Sequence, residues 1–317
     1  MTEPLHFAAA HVLALGRAGD AAPFETGTPA QARAAYDAGC PTLQGDREVV
    51  ASIADKTIEG PRGPIQLRIY RGVGAPHADA PAVLYLHGGG WVIGNLNSHD
   101  EISRWFANIG ACVVICPDYR LAPEHKFPAG LEDCVRALDY IVDQAGMFGI
   151  DPQRVAVAGD SAGGNLAAVL ALLSRDGLAS PVSAQLLVYP NTDASQTAQS
   201  YIRFSQGYGL TASTMRWFRD HYIGDAAEIT DWRVSPLMAK TLAGLPPAFV
   251  AIAGQDILAD EGEAYAARLE QAGVPVVIRQ WRDQIHGFVS MGRYIPAARE
   301  AITAAVSAWR SFERQAD

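Results

Sequence analysis

The segment VAVAGDSAGGN, residues 155–165, sets the reading of the whole chain. Val155–Ala158 is a short apolar run suited to a strand buried on both faces, and Asn165–Leu173 is rich in strong helix formers. A serine at such a strand-to-helix junction sits on a sharp turn, and Gly159 and Gly163 remove side chains that would collide there. The turn lifts the Ser161 hydroxyl above the strand's carboxyl end, where the N-terminus of the next helix favours developing negative charge. A phosphate-binding turn is excluded. The segment has neither GxGxxG spacing nor a phosphate-loop lysine, and Asp160 would repel phosphate.

On either side lie further short, nearly all-apolar runs: AVLYL (82–86), CVVIC (112–116), AQLLVY (184–189), FVAIA (249–253) and VPVVI (274–278). Segments of helical period, such as 129–145, 161–175 and 260–272, separate most of them. Strands buried on both faces and alternating with helices predict an α/β fold, a mostly parallel central sheet flanked by helices. Ligands on such sheets bind at the carboxyl ends of the strands. Nearer the N-terminus, residues 49–58 and 65–70 alternate β-branched with polar residues around the turn sequence EGPRGP, which predicts an antiparallel pair at a sheet edge.

Two regions break the pattern. Residues 1–45 read as alanine-rich helix, and residues 191–235 carry Tyr201, Phe204, Tyr208, Trp217, Phe218 and Tyr222 without a buried-strand signal. Residues 191–235 read either as an ordinary helical connection or as a lid over the active site packed with the N-terminal helices, and the lid is preferred because long insertions in compact folds tend to be functional. The expected organisation is therefore 1–45 as the first part of the cap, 46–190 as catalytic domain, 191–235 as the second cap segment and 236–317 as the rest of the catalytic domain.

The 317 residues are 49% hydrophobic and 19% charged, enough apolar matter for one substantial core. A formal net charge of -9 repels phosphate backbones and argues against nucleic acid as a partner. The cysteines at 40, 112, 116 and 134 make no metal-binding pattern and read as buried free thiols in a reducing compartment. With no basic, long-apolar leader and no run of membrane-spanning length, the expected location is the cytoplasm, with no membrane partner. Neither a metal nor an organic cofactor is required. Oligomeric state is open, a homodimer included.

Chemistry gathers around Ser161. HGGG at 87–90 ends a strand expected near the sheet centre, and consecutive glycines let backbone amides approach a substrate with no Cβ in the way. Gly89, Gly90 and Ala162 are the expected oxyanion-hole donors. His87 is expected to fix the loop by hydrogen bonding. Serine needs a base, and neutral imidazole suits that task near pH 7. The order serine, acid, histidine leaves His221 and His286 among the eight histidines, and His286 follows the last strand in a loop that can reach Ser161. The orienting acid is placed, in order of preference, at Asp256, Asp260 or Asp283. Asp260 and Glu261 start a helix, where acidic residues commonly cap or oppose the dipole. Trp91, Asp160, Tyr189, Phe204, Tyr208 and Trp217 are candidates for the substrate pocket.

These residues resemble a known family, the bacterial hormone-sensitive-lipase-like (family IV) carboxylesterases of the α/β-hydrolase fold. HGGGW (87–91), DYRLAPEHKFPA (118–129), GDSAGGN (159–165), SPL (235–237) and HGF (286–288) carry the likeness in order. The resemblance implies a triad of Ser161, Asp256 and His286, and an oxyanion hole from Gly89, Gly90 and Ala162. It also implies a cap built partly from the N-terminus and a preference for small-molecule esters of short acyl chains, acetyl to hexanoyl. The family usually has proline after the acid, where this chain has Ile257, a change expected to alter loop stiffness without removing the carboxylate. An arylformamidase or lactonase would use the same residues. A non-catalytic receptor is a remote alternative: the plant gibberellin receptors resemble the family but lack the histidine, which is present here as His286.

Overall fold

The computed structural model describes residues 3–19 and 22–316. Among them, eight strands form one sheet: β1 (Ser52–Gly60), β2 (Gly63–Arg71), β3 (Ala80–Leu86), β4 (Val113–Pro117), β5 (Ile150–Asp160), β6 (Ala184–Val188), β7 (Ala248–Gln255) and β8 (Val276–Ile285). Their spatial order is β1-β2-β4-β3-β5-β6-β7-β8. β1 pairs antiparallel with β2, and β2 with β4; every later pairing is parallel.

The helices, in chain order, are α1 (Phe7–Ala18), α2 (Pro29–Leu43), α3 (Asp100–Gly110), α4 (Ala129–Asp143), α5 (Ala145–Phe148), α6 (Ala162–Arg175), α7 (Ser200–Arg203), α8 (Ala212–Tyr222), α9 (Ala259–Gln271) and α10 (Ala297–Ala316). α3 and α10 cover one face of the sheet, and α4, α6 and α9 the other. Within β3 the two-residue period is plain: Val83 and Tyr85 pack on the α3/α10 side, Leu84 and Leu86 on the α4/α6 side, and all four are buried. Each such aliphatic side chain contributes roughly 1.5–3 kcal/mol on burial. That is why these strands read as unbroken apolar runs.

The antiparallel pair β1–β2 lies at one edge of the sheet, as expected, with β1 outermost and β2 paired on its far side with β4. The run VPVVI does not make a strand buried on both faces. It opens β8, which forms the opposite edge, continues to Ile285 and has partly exposed side chains along most of its length. An edge strand has one neighbour and needs less apolar cover.

Above the carboxyl ends of the strands, the N-terminal helices meet the segment after β6. α2 begins with a capping box in which Thr28 and Gln31 serve each other's backbone. Just ahead of it, Glu25 accepts hydrogen bonds from Ser213 Oγ and Thr214 Oγ1 of α8, both at 2.7 Å, and Phe24 packs 6.2 Å from Phe218. No helix among the described residues is long and apolar enough to cross a membrane.

Candidate active site

β5 ends at Asp160 and α6 starts at Ala162, so Ser161 alone makes the turn, with φ 55° and ψ -119°. A non-glycine residue held there costs on the order of 1–3 kcal/mol and persists only where its surroundings fix it. They do so here. Ser161 N donates to Val188 O at 2.9 Å, and Ser161 O accepts from Asn165 N at 3.0 Å and Asn191 N at 3.2 Å. A Cβ at Gly163 would lie 1.9 Å from Leu86 O, which explains the second glycine of the motif.

His286 follows β8, and its Nε2 lies 2.9 Å from Ser161 Oγ. Its Nδ1 lies 2.6 Å from Asp256 Oδ2, just past the end of β7, and Asp256 Oδ1 accepts from Leu258 N at 2.9 Å. With Asp256 accepting, Nδ1 carries the proton and Nε2 is left to receive one from serine. The Tyr189 ring flanks the imidazole at 4.7 Å. Asp256 is thus the acid in contact. Asp260 instead accepts from Ser200 N at 2.8 Å and pairs with Arg203, and Asp283 meets the N-terminal segment through its carbonyl, which accepts from His6 N at 3.0 Å. His221 lies in α8 against Trp217.

The triple glycine follows β3. Gly89 and Gly90 have φ of 120° and 58°, and Gly89 O accepts from Ile93 N at 2.9 Å, which curls the loop. Beneath it lies a buried network. Asp160 Oδ1 accepts from Gly88 N at 2.9 Å and Tyr85 OH at 2.7 Å, and lies 3.3 Å from His99 Nε2. Burial opposes charge on Asp160, but His99 and these donors outweigh it and hold the carboxyl below its usual range. His87 stacks on Tyr119 at 4.3 Å, and burial, reinforced by His99, brings its pKa down to about 3. His87 is therefore neutral and takes a bracing place in the loop, with Nδ1 2.8 Å from Gly88 O.

The expected pocket residues have definite partners. The Asp160 carboxylate is consumed below the glycine loop, where its partners are. Trp91 is buried face to face with Tyr222, at 4.3 Å and 5°, and so joins the loop to α8. Phe204 and Tyr208 meet edge to face at 5.0 Å, while Trp217 is half-buried beside Phe218. Phe218, absent from the expected pocket residues, lies against the glycine loop: a Cβ on Gly90 would fall 2.3 Å from its ring. Met215, Phe218 and Tyr222 are the buried stripe of α8 at spacings of three and four, a signal that was available. Glu261 stands in the first turn of α9, as expected, without capping it; its carboxyl reaches Asn191, Thr192 and Asp193 in the loop behind Ser161.

A family model described as alpha/beta hydrolase fold matches residues 83–290. Esterase LipI of Mycobacterium tuberculosis is 40% identical over 260 residues, covering 81% of each chain. An ethyl acetate hydrolase of Pseudomonas putida is 39% identical over 286 residues, covering 88% of each. Among solved structures, an ester-hydrolase from the metagenome of Lake Arreo, complexed with a bipyridine phosphonate derivative, superposes with a TM-score of 0.94 at 40% identity, covering 98% of this chain and 99% of that one.

Proposed function

The chain belongs to the α/β-hydrolase fold family, in its hormone-sensitive-lipase-like group, and from that premise we propose that it is a serine carboxylesterase acting on short acyl esters through an acyl-enzyme on Ser161. One observation carries the reading: the line of contacts from Ser161 Oγ to His286 Nε2, 2.9 Å, and from Nδ1 to Asp256, 2.6 Å. His286 takes the serine proton as Oγ attacks the ester carbonyl. The amides of Gly89, Gly90 and Ala162 are assigned to the resulting oxyanion, a role in which one donor is typically worth about 10²–10³ in kcat. The C–O bond to the alcohol then breaks, and the departing alkoxide takes the proton from the imidazolium. Water, deprotonated by the same ring, adds to the acyl carbon, and serine leaves with that proton as the carboxylic acid is released. Asp256 holds the imidazole in the required tautomer.

Short acyl groups are favoured because Phe218 rests on Gly90 with Phe24 behind it, closing the space beside the assigned oxyanion donors. The ethyl acetate hydrolase among the relatives is in keeping with this. Four free thiols, three of them buried, support a reducing location such as the cytoplasm. The test is a panel of p-nitrophenyl esters from acetyl to palmitoyl. We expect kcat/KM to peak between acetyl and hexanoyl and to vanish in Ser161→Ala; a maximum at the long chains would overturn the substrate assignment, and an active Ser161→Ala the nucleophile.

A further inference from the structure

The geometry points to Glu261 as a positioning residue for this reaction, its carboxyl group lashing the loop behind the nucleophile to the turn that carries the triad acid. The inference rests on the reading of Ser161, Asp256 and His286 as the triad.

Glu261 is buried, in the first turn of α9, five residues after Asp256. Its Oε1 gathers three donors from one loop: Asn191 Nδ2 at 2.8 Å, Thr192 N at 2.7 Å and Asp193 N at 3.2 Å. Thr192 answers through its hydroxyl, which donates to Glu261 O at 2.8 Å. The gathered loop is the one that supports the strained serine. Asn191 N donates to Ser161 O, and Asn191 O accepts from Asn165 Nδ2 at 2.9 Å in the first turn of α6. From the other end of the turn, Asp256 Oδ1 accepts from Leu258 N and Ala259 N donates to Asp256 O at 3.2 Å, so acid and glutamate move as one rigid unit. The contacts close into a ring: Ser161, Asn191, Glu261, Asp256, His286 and back to Ser161. Cutting the ring at Glu261 frees the serine turn from the acid turn, and an ångström of relative drift at a nucleophile and its base costs about 10²-fold in rate.

Desolvation, with Asp193 and Asp256 nearby, holds the buried Glu261 carboxyl well above the ordinary glutamate range, while the contacts that brace the loop need only its acceptor oxygen. Glutamine supplies the same acceptor oxygen at the same place. Alanine supplies none and leaves three donors stranded.

The experiment compares wild type, Glu261→Gln and Glu261→Ala on p-nitrophenyl butyrate, each rate divided by the sites that a phosphonate titrant counts. Glu261→Ala is expected to lose roughly 10- to 100-fold in kcat with KM within about 3-fold, and Glu261→Gln to stay within about 3-fold of wild type in both. A purely structural role would lower the number of titrated sites and leave kcat per site unchanged. The inference is overturned if Glu261→Ala keeps kcat within about 2-fold of wild type per site, or if Glu261→Gln falls as far as Glu261→Ala. Should Glu261→Ala not fold, Asn191→Ala decides: a drop in kcat at steady KM supports the ring, and an unchanged kcat sinks it. Ser161→Ala separates the two levels. If that variant turns over ester, the triad reading itself has failed; if it is inert while Glu261→Ala is fully active, only Glu261 has been misassigned.

Discussion

A glutamate in water is charged at neutral pH; Glu101, in the first turn of α3, is buried, and desolvation pushes its pKa up to about 7 against the hydrogen bonds that Gly45 and Gly292 provide. Its folded pKa lies above the unfolded value of 4.5, so its contribution to stability is full below pH 4.5 and is lost as pH rises through about 7. Glu101→Gln keeps an acceptor for Gly45 N, which donates at 2.7 Å, and carries no charge to desolvate. We expect it to gain stability relative to wild type between pH 5 and pH 8, by roughly 1 kcal/mol once screening by Arg293 and water is allowed for, or a few degrees in Tm. Melting curves at the two pH values check this, and a gain that is equal or larger at pH 5 contradicts it. At this scale the sequence is legible where chemistry is local. Ser161 stands out because the glycines beside it answer a clash that any strand-to-helix turn must avoid. Glu261 and Asp160 do not stand out, since their partners lie in other elements and a carboxylate at a helix start or beside a serine looks like many others.

Elements carry a second lesson in α8. Aromatic content alone nominates Trp217, whereas helical spacing selects Met215, Phe218 and Tyr222 as the inward stripe, and burial follows the spacing. Phe218 joins three parts of the molecule: it lies on Gly90, near Phe24 and one turn from the residues that Glu25 holds. Phe218→Ala should cost about 3 kcal/mol, as large-to-small changes of buried aromatics do. It should also open space beside the triple-glycine loop, raising the ratio of octanoyl to butanoyl kcat/KM by about 10-fold, the scale on which apolar pockets discriminate chain length. An unchanged ratio in a folded variant contradicts the placement of Phe218 at the acyl group. Inner strands such as β3 are readable from composition because both faces are dry. β8 is not, because its length follows from pairing with β7 as far as Gln255 and Ile285, which no local run of residues encodes.

At the scale of the whole molecule, function depends on the parallel sheet delivering distant residues to one rim. Ser161 leaves β5, Asp256 leaves β7 and His286 leaves β8, all at carboxyl ends, and the serine and histidine that touch are 125 residues apart in the chain. The order of the three was readable, and so was the side of the sheet. Their separations were not, because they depend on the twist and register of strands β5 to β8 and on the Asn191–Glu261 brace behind them. Two segments remote in the chain also meet, where Glu25 accepts from Ser213 and Thr214 of α8. This convergence should activate one serine among all those in the chain. That activation is tested most directly by treating wild type and Ser161→Ala with a fluorophosphonate and locating the adduct by peptide mass spectrometry. A single stoichiometric adduct on Ser161 and none in the variant is the expected result; an unlabelled wild type, or a label that survives the substitution, would contradict the assignment of Ser161.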